Sequence, residues 1–248
     1  MTTPIWNSNA LAIAARPLFV LLVLVPLSLS AQTPVAVQVS PASTPGQANI
    51  VDVTTLAPDI ALDIRYAGSD NFTGRVVPGY EAPRCYLLQP VAQALARVQR
   101  GLRAQGYRLQ VFDCYRPVHS VKAFVAWVHD AGDQIAKPRY YPNVDKSQLL
   151  DGYIAETSGH SRAATVDLGV LDCRKGDCTA VDMGTGFDRF DPLAHTANPQ
   201  ITAAQKQNRQ LLLDAMQAQG FANYPMEWWH YTFKPEPTPT TSYDFPVR

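Results

Sequence analysis

From Leu87 to Gly101 the apolar side chains recur at helical spacing, with Leu88, Val91, Ala92, Leu95 and Val98 on one stripe, and this predicts a helix. Gly106-Tyr-Arg-Leu-Gln-Val-Phe112 then switches to alternation, which predicts a strand leading into Asp113-Cys-Tyr-Arg-Pro117. Val121, Phe124, Val125 and Val128 give a second helical face over His119–His129. Thr165-Val-Asp-Leu-Gly-Val-Leu171 reads as a central strand, and Ala203–Gln219 as a helix stopped by Gly220. Short strands are expected at Val51–Val53, Ile60–Ile64 and Tyr231–Phe233, with a turn at Asp70-Asn-Phe-Thr-Gly74. Helices and strands are interspersed without a βαβ repeat, so the expected class is α+β: a single domain with a mixed or antiparallel sheet and packed helices.

The ends differ in composition. Arg16 precedes a 12-residue apolar run, Leu18–Leu29, and Ser28-Leu-Ser30 gives the small-x-small pattern of a signal peptide over 1–30. A retained helix is the alternative. With no cysteine near the cleavage region, a lipid anchor is not expected. Export to the periplasm or beyond follows, with no stable membrane association after cleavage. Residues 31–49, rich in Pro, Ser, Thr and Gln, are expected to form a flexible lead-in. The domain is expected over 50–234, with 235–248 an extended tail opening on Pro235-Glu-Pro-Thr-Pro.

The chain has 248 residues with 21 basic and 21 acidic side chains, so no basic field suggests a nucleic-acid partner. Four cysteines in an exported chain suggest disulfides. Cys173-Arg-Lys-Gly-Asp-Cys178 closes a short loop, and Cys85 with Cys114 follows by elimination. A four-cysteine zinc site is the alternative, against which the spacing lacks paired C-x2-C.

The chemistry concentrates in a few polar positions. Asp167 lies between Val166 and Leu168 on the central strand, where a carboxylate needs a partner because an unpaired buried charge is costly. His160 on the incoming loop and His230 in Glu227-Trp-Trp-His230 could share a cation with it, leaving a fourth position for water. Glu227 could serve as base, desolvated by Trp228 and Trp229. Arg116, restrained before Pro117, could grip an oxyanion or pair with Asp113. Each residue alone also fits a plain structural role, and H-E-x-x-H is absent. From the residues alone the reading stops at a metal hydrolase.

Taken together, Ser158-Gly-His160-Ser-Arg-Ala-Ala-Thr-Val-Asp167 and Glu227-Trp-Trp-His230 resemble the VanX-type zinc D-alanyl-D-alanine dipeptidases. So do Leu62-Asp-Ile-Arg-Tyr-Ala67, Asp70–Gly74, Asp113–Pro117 and Asp182-Met-Gly-Thr-Gly-Phe-Asp188, in the expected order across about residues 50 to 233. The resemblance implies the zinc D,D-peptidase (hedgehog-like) type of fold and one Zn2+ held by His160, Asp167 and His230. It implies Glu227 as catalytic base and Arg116 as stabiliser of the tetrahedral transition state. Asp188 is implied as the partner of the substrate ammonium, with Tyr66 and Ser158 lining a small pocket for D-Ala-D-Ala. A zinc D,D-carboxypeptidase acting on peptidoglycan stem peptides is the alternative enzyme, and a non-catalytic cell-wall binding protein the alternative of another class. Ala163-Ala164 stand where the family commonly has Gly-Ser; a positive φ at Ala163 would be expected to misaim His160.

Overall fold

The computed structural model describes residues 1–3 and 37–248, so nearly all of the signal-peptide reading over 1–30, and residues 31–36 of the lead-in, lie outside the described residues. In chain order the strands are β1 (Gln38–Val39), β2 (Ile50–Asp52), β3 (Ala61–Leu62), β4 (Tyr86–Leu88), β5 (Tyr107–Asp113), β6 (Thr165–Asp172), β7 (Thr179–Ala180), β8 (Phe221–Asn223), β9 (His230–Phe233) and β10 (Thr241–Ser242). The helices are α1 (Gln89–Arg103), α2 (Val118–His129), α3 (Lys137–Tyr140) and α4 (Ala203–Gln217).

The main sheet runs β3-β5-β6-β9-β8, with only the β3–β5 pair parallel. β7 pairs with the far end of β6. The expected α+β class with a mixed sheet is what forms. The helix at residue 87 starts two residues late, because Leu87 and Leu88 instead pair with β2. Pro90 sits in the first turn of α1, where its missing N–H costs nothing. α4 begins at a capping box in which Thr202 and Gln205 satisfy each other's backbone N–H groups.

Two features of the sheet position the site. The register slips between Val111 and Asp113, a bulge at Phe112 that brings Asp113 opposite Asp167. Asp167 is in turn opposite His230 on β9, so three polar residues lie in one row across β5, β6 and β9. Gly169, two residues along β6, leaves room for the Phe112 ring, which would sit 3.3 Å from any added Cβ.

The expected lead-in and tail need correction. Gln38 and Val39 pair in parallel with Thr241 and Ser242, and Tyr243, Phe245 and Val247 are buried. Residues 235–248 are therefore part of the folded unit, because alternate apolar side chains in Tyr243–Val247 insert into the core while the intervening ones face out. Both disulfides form as expected, Cys85–Cys114 and Cys173–Cys178. No helix among the described residues is long and apolar enough to cross a membrane.

Candidate metal centre and active site

His160 sits in a single 3-10 turn, Gly159–Arg162, capped by Ser158, whose hydroxyl accepts the His160 N–H at 3.2 Å. Its imidazole is almost fully buried and its Nδ1 lies 2.7 Å from the Cys114 carbonyl. A carbonyl can only accept, so Nδ1 carries the proton and Nε2 presents a lone pair. That lone pair faces Asp167 Oδ2 at 3.2 Å and His230 Nδ1 at 3.4 Å. His230 Nδ1 is 3.0 Å from Asp167 Oδ1. One donor atom from each of the three residues falls within 4.8 Å of the others.

A cation fits this geometry. Asp167 Oδ1 is buried without a hydrogen-bond partner. Four buried carboxylates, Asp113, Asp167, Asp188 and Glu227, share one guanidinium, Arg116. Two imidazole nitrogens and a carboxylate oxygen are a donor set that suits a divalent transition metal such as zinc.

The surrounding groups are arranged by charge. Arg116 donates Nε and Nη2 to Asp113 Oδ2 at 3.0 and 2.8 Å, so the expected Asp113 ion pair forms. Its guanidinium also lies 3.6 Å from Asp167 and packs against the adjacent Tyr66 and Phe124 rings, 5.1 and 4.9 Å from their centres. Tyr80 donates to the other oxygen of Asp113 at 2.6 Å. Asp188 has φ +58° and accepts from the Tyr66 hydroxyl at 2.9 Å. Glu227 Oε2 is 3.5 Å from His230 Nδ1.

Burial pushes the Glu227 carboxyl well above the ordinary glutamate value, and the negative Asp167 and Asp188 add to the shift. Asp188 is raised for the same reasons. Burial also pushes Asp167 upward, but the two imidazoles outweigh it and hold that carboxyl below the usual range.

All eight residues singled out from the sequence, Tyr66, Arg116, Ser158, His160, Asp167, Asp188, Glu227 and His230, line one cavity of about 210 Å³. Ligand pockets for drug-sized molecules run to about 300–1,000 Å³; this one suits something smaller. Trp229 lines the cavity, whereas Trp228 points its Nε1–H to Thr185 Oγ1 at 2.8 Å and is not a wall.

The matched family model, described as D-ala-D-ala dipeptidase, covers residues 46–248. The chain belongs to the D-Ala-D-Ala dipeptidase family. It is 42% identical over 196 residues to the D-alanyl-D-alanine dipeptidase of Streptomyces coelicolor, covering 79% of this chain and 96% of that one. It is 38% identical to the enzyme of the same name from Enterococcus faecium, covering 75% and 92% of the two chains. The Escherichia coli K12 dipeptidase is more distant, at 30% identity over 73% of this chain and 83% of its own. Members of this family are metallopeptidases, in keeping with the three converging donors.

Ala163 does adopt a left-handed backbone, with φ +53°. The ring of His160 nevertheless converges on Asp167 and His230: the Ala163 N–H closes the turn onto the His160 carbonyl at 2.9 Å, and Cys114 holds the ring. The sequence reading missed Tyr80, Phe72, Phe124 and Phe190 as site neighbours, along with residues 152–155 and Thr157, which also line the cavity. The sequence could have flagged Phe72 through the Asp70–Gly74 match, but gave no signal for Tyr80.

Proposed function

We propose that this chain is a zinc dipeptidase that hydrolyses D-Ala-D-Ala to two D-alanines, with zinc held by His160 Nε2, Asp167 and His230 Nδ1. The supporting observation is one small cavity holding a buried base, a fixed guanidinium and a buried carboxylate beside the three donors. When bound, the metal would supply Lewis acidity, polarising a carbonyl and acidifying a water.

The chain's own groups do the rest. Glu227, with its proton affinity raised, takes the proton of the attacking water and delivers it to the departing amine. Arg116, fixed by two bonds to Asp113 through Nε and Nη2 and with Nη2 3.6 Å from Asp167, holds its guanidinium beside the three donors to meet the oxyanion as charge develops. Asp188, oriented by Tyr66, faces the ammonium of a free dipeptide, whose charge would return the carboxyl to its ionised form. Ser158, its hydroxyl capping the His160 turn, lines the pocket. The small volume works against the carboxypeptidase alternative, since a stem peptide would have to leave the cavity past buried carboxylates. The buried base works against a non-catalytic binding protein, which gains nothing from holding it there.

Export is proposed as well: the signal-like segment supports it, and two disulfides suit an oxidising compartment.

The test offers free D-Ala-D-Ala and an N-acylated peptide ending in D-Ala-D-Ala to the zinc-loaded protein. Cleavage of the free dipeptide only is expected, and Glu227→Gln should lower kcat by about 100- to 10,000-fold. Turnover of the acylated peptide at a comparable rate would replace this reading with the carboxypeptidase one.

A further inference from the structure

The Glu227 carboxylate has no hydrogen-bond donor among the described residues; its Oε2 lies 3.5 Å from His230 Nδ1. Nothing attached to its side chain sets its position, so the backbone beneath must. That backbone is the six-residue loop joining β8 to β9, which carries the base at Glu227 and a metal donor at its end, His230. Inside it the Glu227 N–H donates to the Tyr224 carbonyl at 3.0 Å, and the His230 N–H reaches the Glu227 carbonyl at only 3.3 Å.

One side chain binds both functional positions. The Asn223 amide nitrogen donates to the Glu227 carbonyl at 3.0 Å and to the His230 carbonyl at 3.0 Å. Its two N–H groups suit two acceptors. The amide is oriented by Thr196, whose hydroxyl donates to Asn223 Oδ1 at 2.6 Å, so the oxygen end faces Thr196 and the nitrogen end faces the loop. Thr196 is anchored in turn by its own N–H on the Pro225 carbonyl at 2.9 Å.

We infer that Asn223, oriented by Thr196, is a positioning residue that fixes the spacing between the base Glu227 and the metal donor His230. The inference rests on the roles proposed above for those two residues. A general base must sit within hydrogen-bond reach of the water it deprotonates, and groups that hold metal ligands from behind are worth about 10- to 100-fold in affinity or activity. Asparagine is required here because aspartate, of the same shape, would keep the Thr196 bond yet place a carboxylate against two carbonyl oxygens.

The test uses the full chain, with zinc affinity measured by chelator competition alongside kinetics on D-Ala-D-Ala and thermal unfolding of the metal-free protein. Asn223→Ala and Asn223→Asp are each expected to lower kcat about 10-fold or more with KM changed less than about threefold, and to weaken zinc by about 10-fold. Thr196→Val should give the same pattern at smaller size, and Thr196→Ser, which keeps the hydroxyl, should restore it. If the Asn223 variants only lower the unfolding temperature, with kcat and zinc affinity within about twofold of the parent, the residue is structural and the inference fails. Zinc affinity is read without turnover, so a parent protein inactive on D-Ala-D-Ala would refute the proposed substrate while leaving the positioning question answered.

Discussion

His160 stands in a turn tied on several sides to distant chain, whereas His230 opens a strand between β6 and β8 and takes its backbone restraint in large part from its own hairpin. Around His160, Arg116 donates its N–H to the His160 carbonyl at 3.3 Å, Tyr243 to Ser161 at 2.8 Å, Leu88 to Ala163 at 2.9 Å and Phe233 to Ala164 at 2.9 Å. Arg162 is paired with Glu236, and the ring itself is bonded to Cys114. The His230 ring, 21% exposed, has the His160 ring at 5.0 Å and the Tyr224 ring at 5.7 Å beside it. The contrast separates two ways of placing a ligand: one by tertiary restraint on the ring, the other by local restraint on the backbone beneath it.

The sharpest way to break the comparison is to remove each ring in turn with the metal chelated away. His160→Ala leaves a buried hole and an unsatisfied Cys114 carbonyl, and should cost about 2–4 kcal/mol in denaturant unfolding. His230→Ala should cost about 1 kcal/mol or less, as for a partly exposed side chain. Equal losses would show that the two rings are held alike.

The disulfides sharpen it from another side. Cys85–Cys114 spans 29 residues and borders the carbonyl that orients His160. Replacing both cysteines by serine should cost about 3–4 kcal/mol on the loop-entropy relation and also weaken metal binding. Cys173–Cys178 closes a separation of five; its loss should cost about 2 kcal/mol and leave the metal alone. Metal affinities that respond to the second pair and not the first would contradict the tertiary account of His160.

A further test of the His160 side concerns acid. Burial pushes Glu236 up, but hydrogen bonds from Arg162 and Lys234 outweigh it, and the carboxyl titrates below the ordinary glutamate value. The unfolded chain therefore binds this proton more readily, so the contribution is complete above about pH 4.5 and is lost as pH falls through the folded value. Glu236→Gln should lower stability at neutral pH by about 1–3 kcal/mol and flatten the acid side of the stability curve. An unchanged acid side would remove Glu236 from the set of restraints on the His160 turn.

The long segments were legible, since α1 and α4 each bury a face that the spacing of apolar residues marks, and β6 is buried on both faces from Thr165 to Val170 as a central strand should be. Site residues were legible where several fall in one short stretch, as in Glu227–His230. The rest depended on signals that sequence carries weakly. β1, β7 and β10 have two residues each, too few to show alternation. The bulge at Phe112 is set by what β6 offers across the sheet, and the φ of Asp188 by its surroundings. The tail misled because its prolines and threonines come first; the alternation of Tyr243, Phe245 and Val247 was present and outvoted by composition. Asn223 carries no motif, since its role depends on two carbonyls that only the hairpin brings together.

The row Asp113, Asp167 and His230 makes the centre a gauge of alignment. Side chains alternate along a strand, so a slip of one residue between β6 and β9 would set Tyr231 beside Asp167 or turn the carboxylate to the opposite face. A chain misregistered in this way could keep much of its helix content and its disulfides and still lack the three-donor cluster. In a refolded preparation, the fraction of molecules able to take up metal would then count the fraction with the sheet in register, which a spectroscopic measure of secondary structure would overstate.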